Sequence, residues 1–506
     1  MITLAVNKSL LYEKLMGIVG SKNVTDKEII VEAYMATSTG KFSVGRQEMP
    51  EEVKRPGFIV RAGSTEEVQE IVRLANQYKV SIIPVGAMTS AYFETVPTEG
   101  GIMLDFSRMK NIEIDEELMT VTFEPGVNWA QAYRELAVKG YWVSAQASPA
   151  SVSILGTVSQ AGMHLPLDKQ MGGGPHNTSY YSDLTIGLEV VLPTGELLIT
   201  GSAALPGVKP ERARAYGPNI AHIFLGAQGT LGIIVKQTLP LWRIPEARHM
   251  VQGNFKDENF KGLARASYRI FNDFYGGPIW SEQQWSIYDG TQEPFEWEYY
   301  VQLYGNKERV EFDRRFSEKI IKEEGGTIIS KPRILEVETD YSPQLYEEMI
   351  YWRPRANSIA MQPSDIGQVN LGGVAPHHKT PELHDAALKI IAKHGVPLRR
   401  IRKGLLRTDI RSGIQSFSIS YFYDLNDAEE VRRAKAINEE WGRVLPETLG
   451  DLMQRTGIPA YRFSPSMARE LMPKLGEYYQ LLKKLKRWLD PNRIMNPGKL
   501  MDLEPY

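Results

Sequence analysis

The chain has no cysteine in its 506 residues. That absence excludes disulfides, thiolate zinc sites, cysteine-ligated iron–sulfur clusters and any cysteinyl bond to a cofactor. Net charge is also nearly absent: 59 basic against 61 acidic side chains leave −2, so no global field favours nucleic acid or an anionic membrane. No uninterrupted apolar run reaches the ~18 residues that span a bilayer. The stretch Met1 to Lys8 lacks the basic-then-apolar pattern of a signal peptide. The expectation is a cytoplasmic protein without a transmembrane segment. There is no internal repeat, no low-complexity tract, no basic stripe for nucleic acid and no Gly-Lys-Ser/Thr phosphate loop.

Hydrophobic content of 42% and charged content of 24% are those of an ordinary globular protein. The length allows about two to four domains. Residues 1–50 mix helical periodicity with polar breaks and read as a helical lead-in. A short strand is expected within Arg55-Pro56-Gly57-Phe58-Ile59-Val60-Arg61-Ala62. Ser64 with Glu67 forms a capping box ahead of Val68, Ile71, Val72, Ala75 and Tyr78, which recur at helical spacing. The β-branched run Val80–Val85 follows. Further strands are expected at Ile102–Phe106, Met119–Phe123 and Gly232–Leu241, a helix at Asn128–Lys139, and a hairpin across Pro193-Thr194-Gly195-Glu196. From about residue 245 aromatics thicken, with strands expected at Glu298–Tyr304 and Ser416–Tyr423. Helices are expected at Trp441–Thr456 and Pro473–Trp488. The divisions are 1–50, 51–243, 244–450 and 451–506.

Three segments stand out between these elements: Val85-Gly86-Ala87-Met88-Thr89-Ser90, Ser151 to Ser159, and Phe224 to Ile234 with Gly226, Gly229 and Gly232. Each combines small residues and hydroxyls beside apolar runs that read as strand-like. Glycine lets a backbone approach a ligand closely, and successive N–H groups make an anion nest. The Gly226–Gly232 spacing is not the nicotinamide fingerprint, because strand rather than helix is expected after it.

The order of these pieces resembles the flavoproteins typified by vanillyl-alcohol oxidase and 4-cresol dehydrogenase. The resemblance is strongest at Val80–Asp105, Leu184–Trp242 and Asp490–Lys499. It implies an α+β fold: a two-part FAD-binding domain, residues 51–243 plus the returning segment 451–506, under an α+β cap domain that covers the substrate. It implies that Gly86, Ala87, Met88 and Thr89 wrap the pyrophosphate, and that Gly156, Thr157 and Ser159 line the flavin and its phosphates. Ile234 would meet the adenine end through its backbone, and Asn496 and Lys499 would return beside the isoalloxazine. Relatives tether flavin through a histidine in the first loop or through the cap. Here Ala87 and Met88 occupy the first position and Asn370 the second, so the FAD is expected to be non-covalent.

The same resemblance places Tyr461 and Arg462 where the aryl-alcohol branch holds a phenolate, with Tyr92 one position from a further tyrosine of that branch. The implied reaction is hydride transfer from a phenolic 4-alkyl or benzylic carbon to flavin N5, with electrons passed to oxygen or an external acceptor. The aspartate of that branch is missing from Pro149-Ala150-Ser151-Val152-Ser153, which leaves the base open among His164, His176, His377, His378 and Tyr423. Two alternatives stand. One is a 2-hydroxy acid, its carboxylate clamped by Arg353 and Arg355; the Gly-Asp-Gly-Asn metal setting of such enzymes is missing, so no metal is expected. The other is a flavin subunit of a larger electron-transfer assembly, its acceptor a cytochrome, flavoprotein or quinone. The resemblance also implies a homodimer.

Overall fold

The computed structural model describes residues 8–39, 53–88, 95–143, 153–159, 184–272, 279–283, 296–329, 366–397, 400–408, 414–449, 468–469 and 472–503. Two small sheets form the first half. One has the order β1 (Val24–Thr25), β2 (Phe58–Arg61), β4 (Ile102–Asp105), β3 (Ile82–Val85), with the last three parallel. The other has the order β5 (Ile112–Asp115), β6 (Thr120–Phe123), β10 (Ile233–Pro240), β8 (Gly187–Val191), β9 (Leu197–Ile199), all antiparallel. The expected hairpin is β8–β9.

The lead-in carries more than helix. Between α1 (Lys8–Val19) and α2 (Glu28–Thr39), β1 pairs with β2 at the edge of the first sheet. A two-residue strand leaves no periodicity to read. The helix α3 (Thr65–Tyr78) starts at Ser64, whose Oγ accepts from Glu67 N at 3.2 Å. The reciprocal bond is displaced by one residue: Gly63 N, not Ser64 N, donates to Glu67 Oε2 at 2.7 Å. Asn128 caps α4 (Trp129–Val138), and a short pair joins β7 (Tyr141–Trp142) to β11 (Trp242–Arg243). The second glycine-bearing segment is not strand: Ile154–Ser159 is a six-residue helix, α5, started by Ser153, whose Oγ accepts from Gly156 N.

The second half is a seven-stranded sheet. It contains β12 (Ala247–Lys256), β13 (Ile279–Gln283), β14 (Glu296–Gly305), β15 (Thr327–Ile328), β16 (Ile366–Pro376), β17 (Ile401–Thr408) and β18 (Ile414–Asp424), ordered β15-β12-β14-β13-β17-β18-β16. Helices α6 (Phe260–Asn272), α7 (Lys307–Glu323), α8 (Thr380–Lys393) and α9 (Ala428–Leu449) pack on it. The core alternates along the strands as a sheet covered on one face requires. Trp297, Tyr299, Val301 and Leu303 of β14 join Val369, Leu371, Tyr421 and Tyr423 in it. Helix α9 begins thirteen residues before the expected Trp441, because its charged first half carries little apolar signal. The expected helix at Pro473 splits into a 3₁₀ turn, Met472–Leu475, and α10 (Glu477–Leu489).

Candidate functional site

Folding brings the three glycine-bearing segments and the C-terminal tail to one place. The first loop leaves the end of β3. A Cβ on Gly86 would lie 3.0 Å from Ser153 Cβ, so the first loop and the second segment touch. Ser153 Oγ donates to Pro125 O at 2.7 Å, which fixes that contact. The third segment lies against β3: Gly229 has φ +72°, and a Cβ there would meet Pro84 Cγ at 2.6 Å. Only glycine satisfies both demands. Met88 and Gln228 add positive φ values of 49° and 54° without glycine's freedom. Such left-handed residues are costly and persist where the surroundings hold them.

The tail closes the set. Ile82 N donates to Ile494 O and Asn496 N to Ile82 O, so Met495 sits beside β3 as one more parallel bridge. Asn496, at φ 40°, donates from Nδ2 to Gln228 O at 2.7 Å. Thr98 Oγ1 donates to Pro497 O, and Lys499 Nζ to Val96 O at 2.7 Å. Lys499 is therefore buried, against the solvent exposure usual for lysine.

Behind this junction lies a buried ion cluster that the sequence reading did not single out. Lys486 of α10 is fully buried, and its ammonium donates to Thr230 O, Met495 O and Asp490 Oδ2 at 2.8, 2.8 and 2.5 Å. Those bonds use all three donors of the group. They connect the third segment, the helix and the tail through one atom. Asp490 also accepts from Ile494 N and Met495 N. Asp502 accepts from Arg493 Nε at 2.6 Å, and Arg493 also pairs with Glu99. The only sequence signal was a lysine on the apolar side of an amphipathic helix.

Burial pushes the Asp502 carboxyl up to about 6 from its ordinary 3.8, against the nearby Lys486 and Arg493 charges. Its Oδ2 is buried 3.6 Å from Lys486 Nζ. The folded chain thus holds a proton that the unfolded chain releases between about pH 4 and 6. The stability this contributes is fully present below pH 3.8 and is lost as pH rises through 6, a difference of ~3 kcal/mol. Asp502→Asn is expected to flatten that part of the pH profile, read as the difference in urea midpoint between variant and wild type across pH 4–7. An unchanged slope would remove Asp502 from the account.

Other expected residues are placed as follows. Ile234 pairs with Val190, next to a bulge before Lys236. Gly86, Ala87 and Met88 are on the first loop, and Gly156, Thr157 and Ser159 on α5. Thr89, Tyr92, His164, His176, Arg353, Arg355, Tyr461 and Arg462 lie outside the described residues. Tyr423 is corrected: it is buried in the core of the seven-stranded sheet with its ring against Gly367, and burial pushes its hydroxyl up to about 12. A phenol so placed is packing, not a base. His377 and His378 occupy the turn between β16 and α8, where His377 stacks on Tyr268 of α6 with ring centroids 3.7 Å apart. The junction does not include them. Among the described residues no group of histidines and acids could hold a metal, and no helix is long and apolar enough to cross a membrane.

A dinucleotide fits the junction on two counts. Backbone turns with positive φ converge from the first and third segments and the tail, beside the start of helix α5, as an anion cradle requires. Thr95 Oγ1, just past the first loop, is buried without a hydrogen-bond partner among the described residues, which leaves a hydroxyl that a ligand there can use.

Comparison with known proteins agrees. Residues 56–201 match the family model for an FAD binding domain, and residues 374–500 the model for FAD linked oxidases, C-terminal domain. The mitochondrial D-lactate dehydrogenase (cytochrome) of Arabidopsis thaliana is 25% identical over 466 residues, covering 89% of this chain and 74% of that protein. The 4-cresol dehydrogenase (hydroxylating) flavoprotein subunit of Pseudomonas putida is 24% identical over 487 residues, covering 88% and 87%. The solved 4-ethylphenol oxidase of Gulosibacter chungangensis, in its isoeugenol complex, superposes with a TM-score of 0.80 at 18% identity, covering 99% of this chain and 98% of that one.

Proposed function

We propose, from the premise that this chain belongs to the FAD-linked oxidoreductases of the vanillyl-alcohol oxidase and p-cresol methylhydroxylase type, that it oxidises the benzylic carbon of a 4-alkylphenol or phenolic aryl alcohol. The single observation that carries this reading is Tyr461-Arg462, which stands ahead of the tail Asp490–Lys499 as in the aryl-alcohol branch.

Bound FAD supplies the hydride acceptor. The chain's own residues do the rest. Backbone N–H groups of Gly86, Ala87, Met88 and Thr89, with Gly156, Thr157 and Ser159, meet the phosphates. The backbone of Ile234 meets the adenine end, and Asn496 and Lys499 border the ring. Arg462 holds the phenolate charge, and Tyr461 and Tyr92 donate hydrogen bonds to that oxygen. Loss of the phenolic proton to water and of a hydride from the benzylic carbon, the side-chain carbon attached para to the hydroxyl, leaves a quinone methide, so charge held at the oxygen lowers the barrier at that carbon. Ala87, Met88 and Asn370 offer no group that bonds covalently to flavin, so the FAD is released intact on denaturation. With no cysteine to ligate a cluster, electrons leave to oxygen or to a separate acceptor. Of the candidate bases, His377 is assigned to packing here, as its stacking on Tyr268 supports, and exposed His378 is given no part in the step.

A second reading rests on the similarity to the Arabidopsis D-lactate dehydrogenase: a 2-hydroxy acid with its carboxylate on Arg353 and Arg355. Anaerobic mixing separates the two. The proposal expects 4-ethylphenol to bleach the flavin absorbance at a rate at least roughly 100-fold above that with D-lactate or glycolate. Bleaching by the hydroxy acids alone would establish the second reading in its place.

A further inference from the structure

Helix α10 carries a wider apolar arc than its core uses. Tyr479, Leu482, Lys486 and Leu489 face inward, and the aliphatic and aromatic members of that set pack against the core around Leu500 and Met501. Beside them, at helical spacing, run Tyr478, Leu481, Leu485 and Trp488. Tyr478 is 62%, Leu481 56% and Trp488 76% exposed. A helix on a globular surface normally turns its charged face outward. Here the apolar arc runs on past the buried face as a stripe of one tyrosine, two leucines and one tryptophan, extended at its start by exposed Leu475. Lys484 and Arg487 stand on the charged side beyond the stripe, Lys483 farther round over the Tyr479 ring, with Lys474 before the helix and Glu477 its one acid.

We infer that this stripe docks the protein on an anionic lipid surface. The chemistry matches that ligand on both counts. Tyr and Trp present an apolar ring with a polar tip, which suits the boundary between headgroups and acyl chains. Lysine and arginine stems lie along apolar surface while their charged ends reach the headgroup phosphates. A second copy of this chain is the poorer occupant. A two-fold contact would bring the Lys484 and Arg487 side near its own image. The attraction is local, because the whole chain carries −2. The stripe holds no residue of the FAD junction; Lys486, which does, points the other way. The inference therefore stands whichever substrate the enzyme takes.

Co-sedimentation of the FAD-loaded full chain with vesicles tests it, with bound protein read by flavin absorbance. Wild type is expected in the pellet with phosphatidylcholine vesicles containing phosphatidylglycerol, and in the supernatant with phosphatidylcholine alone. Added salt should release it. The pair Leu481→Glu/Trp488→Glu, and separately Lys484→Gln/Arg487→Gln, should each cut the bound fraction roughly 10-fold while leaving FAD content unchanged. The second variant keeps the test decisive if the first pair misfolds. Wild type that stays in the supernatant with both vesicle types overturns the inference. So does a dimer in sedimentation velocity, without vesicles, that Leu481→Glu/Trp488→Glu converts to monomer: the stripe would then be a contact between copies.

Discussion

Lys486→Met is expected to yield protein that has largely lost FAD. The ammonium it removes is fully buried and bonded to Thr230 O, Met495 O and Asp490 Oδ2. Methionine fills the space and makes none of those bonds. Asp490 would be left as a buried acid without its cation, while Asp502 keeps only Arg493, and breaking a buried pair in this way costs about 3–5 kcal/mol. The loss falls on the link between the third segment and the tail, so it should appear as a rise in FAD Kd of roughly 100-fold or more. The measurement is flavin fluorescence quenching on titrating stripped protein with FAD. Asn496→Ala, which removes the bond to Gln228 O, should show the same direction with about a 10-fold effect. A Lys486→Met protein that binds FAD as wild type does would show that the ion cluster is scaffold alone.

Arg462→Met is expected to leave FAD binding intact and to slow flavin bleaching by 4-ethylphenol by roughly 10²–10³-fold, the cost of losing a fixed charge opposite a developing one. The effect should be largest on the limiting rate at saturating phenol, because the charge on oxygen grows as the hydride leaves. Tyr461→Phe removes one hydrogen bond and should cost less. The sign distinguishes the two readings. If Arg462→Met bleaches normally with phenol, the phenolate reading falls even though the FAD site stands.

Much of the fold was legible because it is local. The capping residues Ser64 and Asn128, the β-branched runs of β3, β4, β6 and β10, and the Pro-Thr-Gly-Glu turn each leave their mark within a few residues. What escaped was non-local or atypical. No pattern announces that a two-residue strand pairs with Ile59 and Val60. Ser151 to Ser159 has strand composition, yet Ser153 caps a short helix there, because its hydroxyl satisfies the Gly156 amide. Tyr423 looked available until burial placed it in the core.

The site divides in the same way. Its glycines and its tail were visible as unusual stretches. Their meeting depends on bonds such as Thr98 to Pro497 and Asn496 to Gln228, across hundreds of residues, which spacing does not encode. Lys486 is the clearest instance. On a helix otherwise marked by lysines it reads as one more solvated charge, and only the fold shows that its three donors are spent at the junction.

The central claim is that two separated backbone turns, a short helix between them in sequence and a returning tail make one FAD site without a covalent bond. Acid precipitation of the purified protein tests it most directly. The expected result is a yellow supernatant containing FAD in a one-to-one ratio to chain, over a colourless pellet, with stripped protein regaining the colour on mixing with FAD. Protein that is purified colourless and takes up no FAD on incubation would contradict the cradle itself. Flavin that stays with the pellet would contradict its non-covalent character.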